Sequence, residues 1–262
     1  MKALVTPLLA LGLAIGTAGA QQVSANVALG SSGRGSVVQN TLGQTGEAQP
    51  GIHGRSLLFL IESLPEKVFA YDAAVANSDK PLPGMPVHAK GYLNHEFDNL
   101  PMGAKEIVFT KSEDPASVKA ADQRIARAVV PENLKSGIFL FLPGTGKPGD
   151  DLARVMVLDD SAQKFPAGSL KVMNLSPQPI RIQLENKDFD FKIGEQRNIE
   201  NPPVNENQMS GMRAFGFQDN QWQRIGASMW PHPGTKRVLQ IIFMNPATQQ
   251  VEIRGVRDVT SL

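Results

Sequence analysis

From Arg55 onward, short apolar or half-apolar runs alternate with clusters of Pro, Gly, Asn and Asp. Runs such as "SLLFLIES", "KVFAYDA", "KEIVFTK", "GIFLFLP", "LARVMVLD", "SLKVMNLS", "IRIQLEN", "FDFKIG", "MRAFGFQ" and "RVLQIIFMN" have strand length and are rich in β-branched and aromatic residues. The turn signals between them recur at the short spacing of sandwiches and barrels. Only residues 114–129 predict a helical segment, opened by "SEDPAS", where Pro115 suits the first helical position. The pattern predicts an all-β chain.

A repeat sharpens this picture. "QRIARAVVPENLKSGIFLFLP" and "QRIGASMWPHPGTKRVLQIIFMNP" align Gln123, Arg124 and Ile125 with Gln223, Arg224 and Ile225, and Pro131 with Pro231. Upstream, "SLLFLIESLPEKVFAYD" and "SLKVMNLSPQPIRIQLEN" both read strand, serine near proline, strand. Downstream, "LARVMVLDD" and "QQVEIRGVRD" close each copy. Three matched segments in one order predict an internal duplication: two tandem Ig-like or cupredoxin-like antiparallel β-sandwich units, residues 55–160 and 168–262, joined by a linker at 161–167. The segment "VMNLSPQPIRIQLENKDFDFKIG" resembles secreted bacterial sandwich domains of unknown function, in which a strand ending in Ser-Pro pairs with a second strand. That resemblance implies an extracytoplasmic β-sandwich and carries no activity with it.

Composition adds an address. Residues 1–20 carry one cation, Lys2, then an uncharged apolar stretch and the small residues Ala18, Gly19 and Ala20, which is the layout of a cleavable secretory signal peptide. Residues 21–54 are polar, Gly-rich and free of aromatics, so they predict a disordered arm. The chain has no cysteine, which excludes a lipoprotein anchor, disulfides and thiolate metal sites. Loss of Lys2 with the signal leaves 25 of the 26 basic residues against 25 acidic ones, a balance that draws the protein neither to nucleic acid nor to an anionic membrane. The expected destination is the periplasm or the extracellular space, with no membrane span after cleavage.

Candidate chemistry is sparse. Gly144, Gly146 and Gly149 spell G-x-G-x-x-G, but Pro148, Asp150 and Asp151 follow where a phosphate loop needs a helix start, so the spacing predicts a hairpin. Ser161 and Lys164 have S-x-x-K spacing without a K-T-G triplet. Met209 with Met212, Met229 with His232, and His88 with His95 offer soft or imidazole ligands suited to copper, and Asp159-Asp160 and residues 188–190 offer oxygen ligands suited to calcium. The residues at three-residue spacing on a strand face opposite ways, and no metal or cofactor is assigned. If "WQRIGASMW" is one regular strand, Trp222, Arg224 and Trp230 share a face that could hold an envelope protein or a glycan.

These readings combine into an exported, non-catalytic binding, adhesive or structural protein of the cell envelope. The alternatives are a secreted hydrolase using paired carboxylates such as Glu96 and Asp98, or a periplasmic copper-binding protein using Met and His.

Overall fold

The computed structural model describes residues 51–74 and 82–258. The expected signal peptide and nearly all of the expected polar arm therefore lie outside the described residues. Among the described residues, sixteen strands follow one another. The first eight are β1 (Gly51–Leu58), β2 (Phe69–Asp72), β3 (Met85–Pro86), β4 (Asp98–Pro101), β5 (Glu106–Thr110), β6 (Arg124–Val129), β7 (Ser136–Pro143) and β8 (Ala153–Asp159). The second eight are β9 (Leu170–Asn174), β10 (Ile180–Leu184), β11 (Lys187–Phe191), β12 (Gln196–Ile199), β13 (Met209–Gln218), β14 (Gln221–Pro231), β15 (Arg237–Met244) and β16 (Val251–Asp258).

These strands form four sheets, ordered β4-β1-β7-β8, β3-β2-β5-β6, β12-β9-β15-β16 and β11-β10-β13-β14. Adding eight to every strand number converts the first two sheets into the last two. Each half of the chain is a two-sheet sandwich, and its pairings are antiparallel except for β1 with β7 and β9 with β15, which run parallel. Even the irregularities repeat. The β5–β6 ladder slips at Phe109/Thr110, opposite Ile125, and the β13–β14 ladder slips at Ala214/Phe215, opposite Ile225. The two Q-R-I segments thus occupy the same bulged place in the two halves.

The two sandwiches belong to one compact body. Ile52, Ile107, Phe109, Ile125, Phe139 and Phe141 fill the first sandwich, and Val172, Ile180, Ile182, Phe191, Met212 and Ile242 fill the second. A third apolar layer lies between them, where Leu57, Ile138 and Leu140 of the first half meet Met173, Leu239, Ile241 and Phe243 of the second. Sheets β4-β1-β7-β8 and β12-β9-β15-β16 therefore pack back to back, giving four layers of sheet. Phe59 and Phe243 meet edge to face across this layer at 5.0 Å. Hence "GIFLFLP" is uninterruptedly apolar: Phe139 and Phe141 point into one core while Ile138 and Leu140 point into the other.

Four ionic side chains are sealed into the same layer. Arg55 forms a bidentate pair with Asp160 (2.9 and 2.8 Å) and another with Asp258 (2.8 and 2.9 Å). Arg237 reaches Asp258 Oδ2 through Nε at 3.0 Å and Asp160 Oδ1 through Nη2 at 3.0 Å. Asp160 and Asp258 hold the same position in the two halves, one opposite Ser136 and the other opposite Arg237. The two cations and two anions of this group balance one another. Burial works against the Arg55 cation, but Asp258 and Asp160 outweigh it and raise its pKa above the ordinary value.

Two expectations are corrected. The helical segment shrinks to a single 3-10 turn, Pro115–Val118, capped by the Asp114 carboxylate accepting from Ala116 N at 2.9 Å. Residues 119–123 are turn, and Arg124–Val129 is strand β6, because Ile125, Ala126 and Ala128 are wanted by the core. The arm cannot extend to Gly54, since Gly51 to Gly54 already pair with β4. Within residues 161–167, the expected linker, Phe165 is fully buried between the sandwiches, and its N–H and that of Lys164 both donate to Ser161 O.

Candidate functional site

The outer face of the second sandwich is built by β10, β11, β13 and β14. Alternation along β10 sends Ile180, Ile182 and Leu184 inward and Arg181 and Gln183 outward. Arg181 faces Asp190 on one side and Phe215 on the other, and Phe217 faces Trp222. The Arg181 guanidinium lies 4.5 Å above the Trp222 ring, whose other neighbour, Phe217, is 5.1 Å away between centroids. Arg181 is fixed there by a bidentate pair to Asp190 at 2.6 and 2.7 Å. That hydrogen bond, before any other cause, pulls the Asp190 pKa below its ordinary value. Arg224 stands beside Phe215 and is exposed.

Trp230 is not on this face. Its partner is Ser210, seven positions from Phe217, so the two ladder positions point to opposite sides of the sheet. The extra residue at the Ile225 bulge reverses the parity of the strand between the two tryptophans. Trp230 is only 6% exposed and belongs to the second core, while Trp222 is half-buried on the outside. The expected shared face of Trp222, Arg224 and Trp230 is thereby corrected to Trp222 and Arg224 with Phe215, Phe217 and Arg181. Phe215 and Phe217 were missed because "MRAFGFQ" shows their alternation but not which side is covered.

The other predicted chemistry resolves into structure. Gly144 to Gly149 form the hairpin between β7 and β8, closed by Gly144 N donating to Leu152 O at 3.1 Å. A Cβ at Gly144 would come within 2.4 Å of Asp151 O, so the glycine permits a close backbone approach. Met212 is core, and Met209 faces Pro231 across the ladder. Asp160 is taken by Arg55 and Arg237, and Asp188 and Asp190 both contact Arg181. Among the described residues, no three His, Asp or Glu side chains gather as a metal-binding group. No described helix is long and apolar enough to cross a membrane.

Glu96 and Asp98 line the same cavity, but each already has a partner, Lys90 for Glu96 and His88 for Asp98. The segment from His88 to Asp98 folds over the edge of β1 beyond Gly54, tied down by Leu58 N donating to Lys90 O at 2.7 Å and Lys90 N donating to Ser56 O at 2.9 Å. Asp98 accepts the His88 backbone N–H at 2.8 Å and lies 2.7 Å from His88 Nδ1. Glu96 pairs with Lys90. Together with Tyr92 and Phe97 these groups line a cavity of about 170 Å³ whose floor is Arg55 and Ser56.

No family model matches the chain, and no curated protein matches it. Among solved structures, a candidate cell adhesion protein from Bacteroides uniformis ATCC 8492 is 8% identical, with 82% of this chain and 99% of that chain covered, at a TM-score of 0.20. A likeness of that size carries no argument about this protein.

Proposed function

We propose that this chain is an exported, non-catalytic binding module of the cell envelope that recognises a protein partner through the outer face of its second sandwich. One observation carries the reading: Trp222 sits on a solvent-facing sheet surface, fixed by Arg181 at 4.5 Å and Phe217 at 5.1 Å, instead of in a core. Tryptophan and arginine dominate binding hot spots because a large ring and a planar cation bury much area for little lost side-chain freedom. Arg224 is exposed and pairs with no acidic side chain among the described residues, so the fitting partner places a carboxylate there beside an apolar side chain on Trp222.

The test compares the natively secreted protein with Trp222→Ala and Arg224→Ala variants. A partner that co-purifies with the parent should be lost from both, each weakened by at least about 1 to 2 kcal/mol, with the melting temperature little changed. Retention of the partner by both variants, or a polysaccharide in place of a protein, overturns the reading.

A further inference from the structure

The cleft over the edge of β1 has a feature that the outer face lacks. Ser56 is 5% exposed and lines the cavity, and its buried Oγ has no hydrogen-bond partner. Leaving a buried hydroxyl unpaired costs about 1 to 3 kcal/mol, so the position stands out: among the described residues the other buried side-chain polar atom without a partner is Asn198 Oδ1. The absence of a partner also means that Ser56 Oγ is not within reach of the His88 ring, so His88 and Asp98 do not extend to a serine nucleophile here.

The cavity walls state what kind of molecule would satisfy that hydroxyl. Tyr92 and Phe97 are among the most exposed large apolar side chains, at 57% and 43%, and both face this cavity. Rings of this kind offer flat apolar surface to a partner with an apolar face. Between them stand groups that donate and accept hydrogen bonds: Lys90, Asn94, Glu96 and Asp98. Lys90 is balanced by Glu96 and Arg55 by Asp160 and Asp258, and the Asp98 carboxylate is engaged by the His88 backbone N–H and ring. An ionic ligand would have to displace one of these partners. A neutral ligand with several hydroxyls need not, because a carboxylate holding one cation keeps free lone pairs for hydroxyl donors.

We infer that the Ser56 cleft binds a neutral sugar ring, which stacks on Tyr92 and Phe97 and exchanges hydrogen bonds with Ser56 Oγ, Asn94, Glu96 and Asp98. The cavity of about 170 Å³ has room for one ring. The site lies in the first sandwich and does not depend on the outer face of the second.

The experiment is saturation-transfer NMR and calorimetric titration of the full chain with glucose, galactose, mannose and N-acetylglucosamine, with glucuronate and glucosamine as charged counterparts. At least one neutral sugar should bind saturably and more tightly than its charged counterparts. Tyr92→Ala and Ser56→Ala should each weaken it by about tenfold or more. Ser56→Ala should leave the melting temperature unchanged or raise it, because it removes an unpaired buried hydroxyl and breaks no bond. Trp222→Ala should leave sugar binding intact, which separates this site from the proposed protein-binding face. The inference is overturned if no neutral sugar saturates, if a charged counterpart binds more tightly, or if both cleft variants bind as the parent does.

Discussion

The two sandwiches share strand order, parallel pair and bulge, yet they treat their outer faces in opposite ways. Counting from the bulge, Phe69, Tyr71, Val108 and Thr110 of the first outer sheet correspond to Arg181, Gln183, Arg213 and Phe215 of the second. The first set is apolar or buried because the connection from β5 to β6 folds back over it. Val118 packs on Tyr71 and Val108, Tyr71 Oη donates to Ser112 O at 3.0 Å, and Ser117 Oγ donates to Thr110 Oγ at 2.9 Å. In the second sandwich the matching connection is the two-residue turn Asp219-Asn220, with φ of 50° and 62° as a type I′ hairpin turn requires. So short a turn cannot reach back, and the face it leaves open carries arginines, glutamine and aromatic rings. Loop length at one hairpin, more than any change in the strands, decides which copy presents a surface.

The comparison can be broken first at Tyr71. Tyr71→Ala should cost about 3 to 5 kcal/mol in denaturant unfolding, since it empties a covered site, whereas Gln183→Ala at the matching place should fall within about 0.5 kcal/mol. Equal losses would mean that the first face is not covered as described. Next come the tryptophans. Trp230→Ala should destabilise by about 3 to 5 kcal/mol and Trp222→Ala by less than half of that, because only Trp230 is in the core. Reversed values would place the strand in the other parity. Third, Ile125→Ala should cost about 2 to 5 kcal/mol, and Ile225→Ala less, because Ile125 is fully buried and Ile225 only half-buried.

The smallest effect is electrostatic. Asp190 has its pKa lowered in the folded protein by Arg181, so the unfolded chain binds more protons over the window just below the ordinary value of 3.8. The contribution is therefore present above that window and lost as pH falls through it. Both side chains are partly exposed, so the loss is well under about 1 kcal/mol. An Asp190→Asn variant should unfold with a shallower pH dependence between pH of about 2 and 4 than the parent. An identical slope would show that the pair contributes nothing.

Most strands were legible because an apolar run of strand length between turn residues has few other places to go. The repeat was legible too, since Gln123-Arg124-Ile125 and Gln223-Arg224-Ile225 stand at the same bulge in both halves. Parity was not. "WQRIGASMW" reads as one regular strand, and nothing within those nine residues announces that Ile225 has no single partner on β13. The candidate cleft was half legible: Glu96 and Asp98 were visible as a pair, but Ser56 was not, because its place beneath them depends on residues 88–98 crossing the edge of β1.

The sequence by itself determined local things: where strands begin and end, that they come in two copies, and that the G-x-G-x-x-G stretch is a turn, all of which follow from period-two patterning and turn chemistry over a few residues. Tertiary structure decided what depends on distant partners. The joining of Arg55 to Asp160 and Asp258, 105 and 203 residues away, and the double burial of Ile138 to Phe141 exist only because two sheets stack back to back. Stacking is a choice among faces that are each apolar enough to be buried. That choice rests on the total area removed from water and on the pairing of Arg55 and Arg237 with Asp160 and Asp258, quantities carried by no single segment.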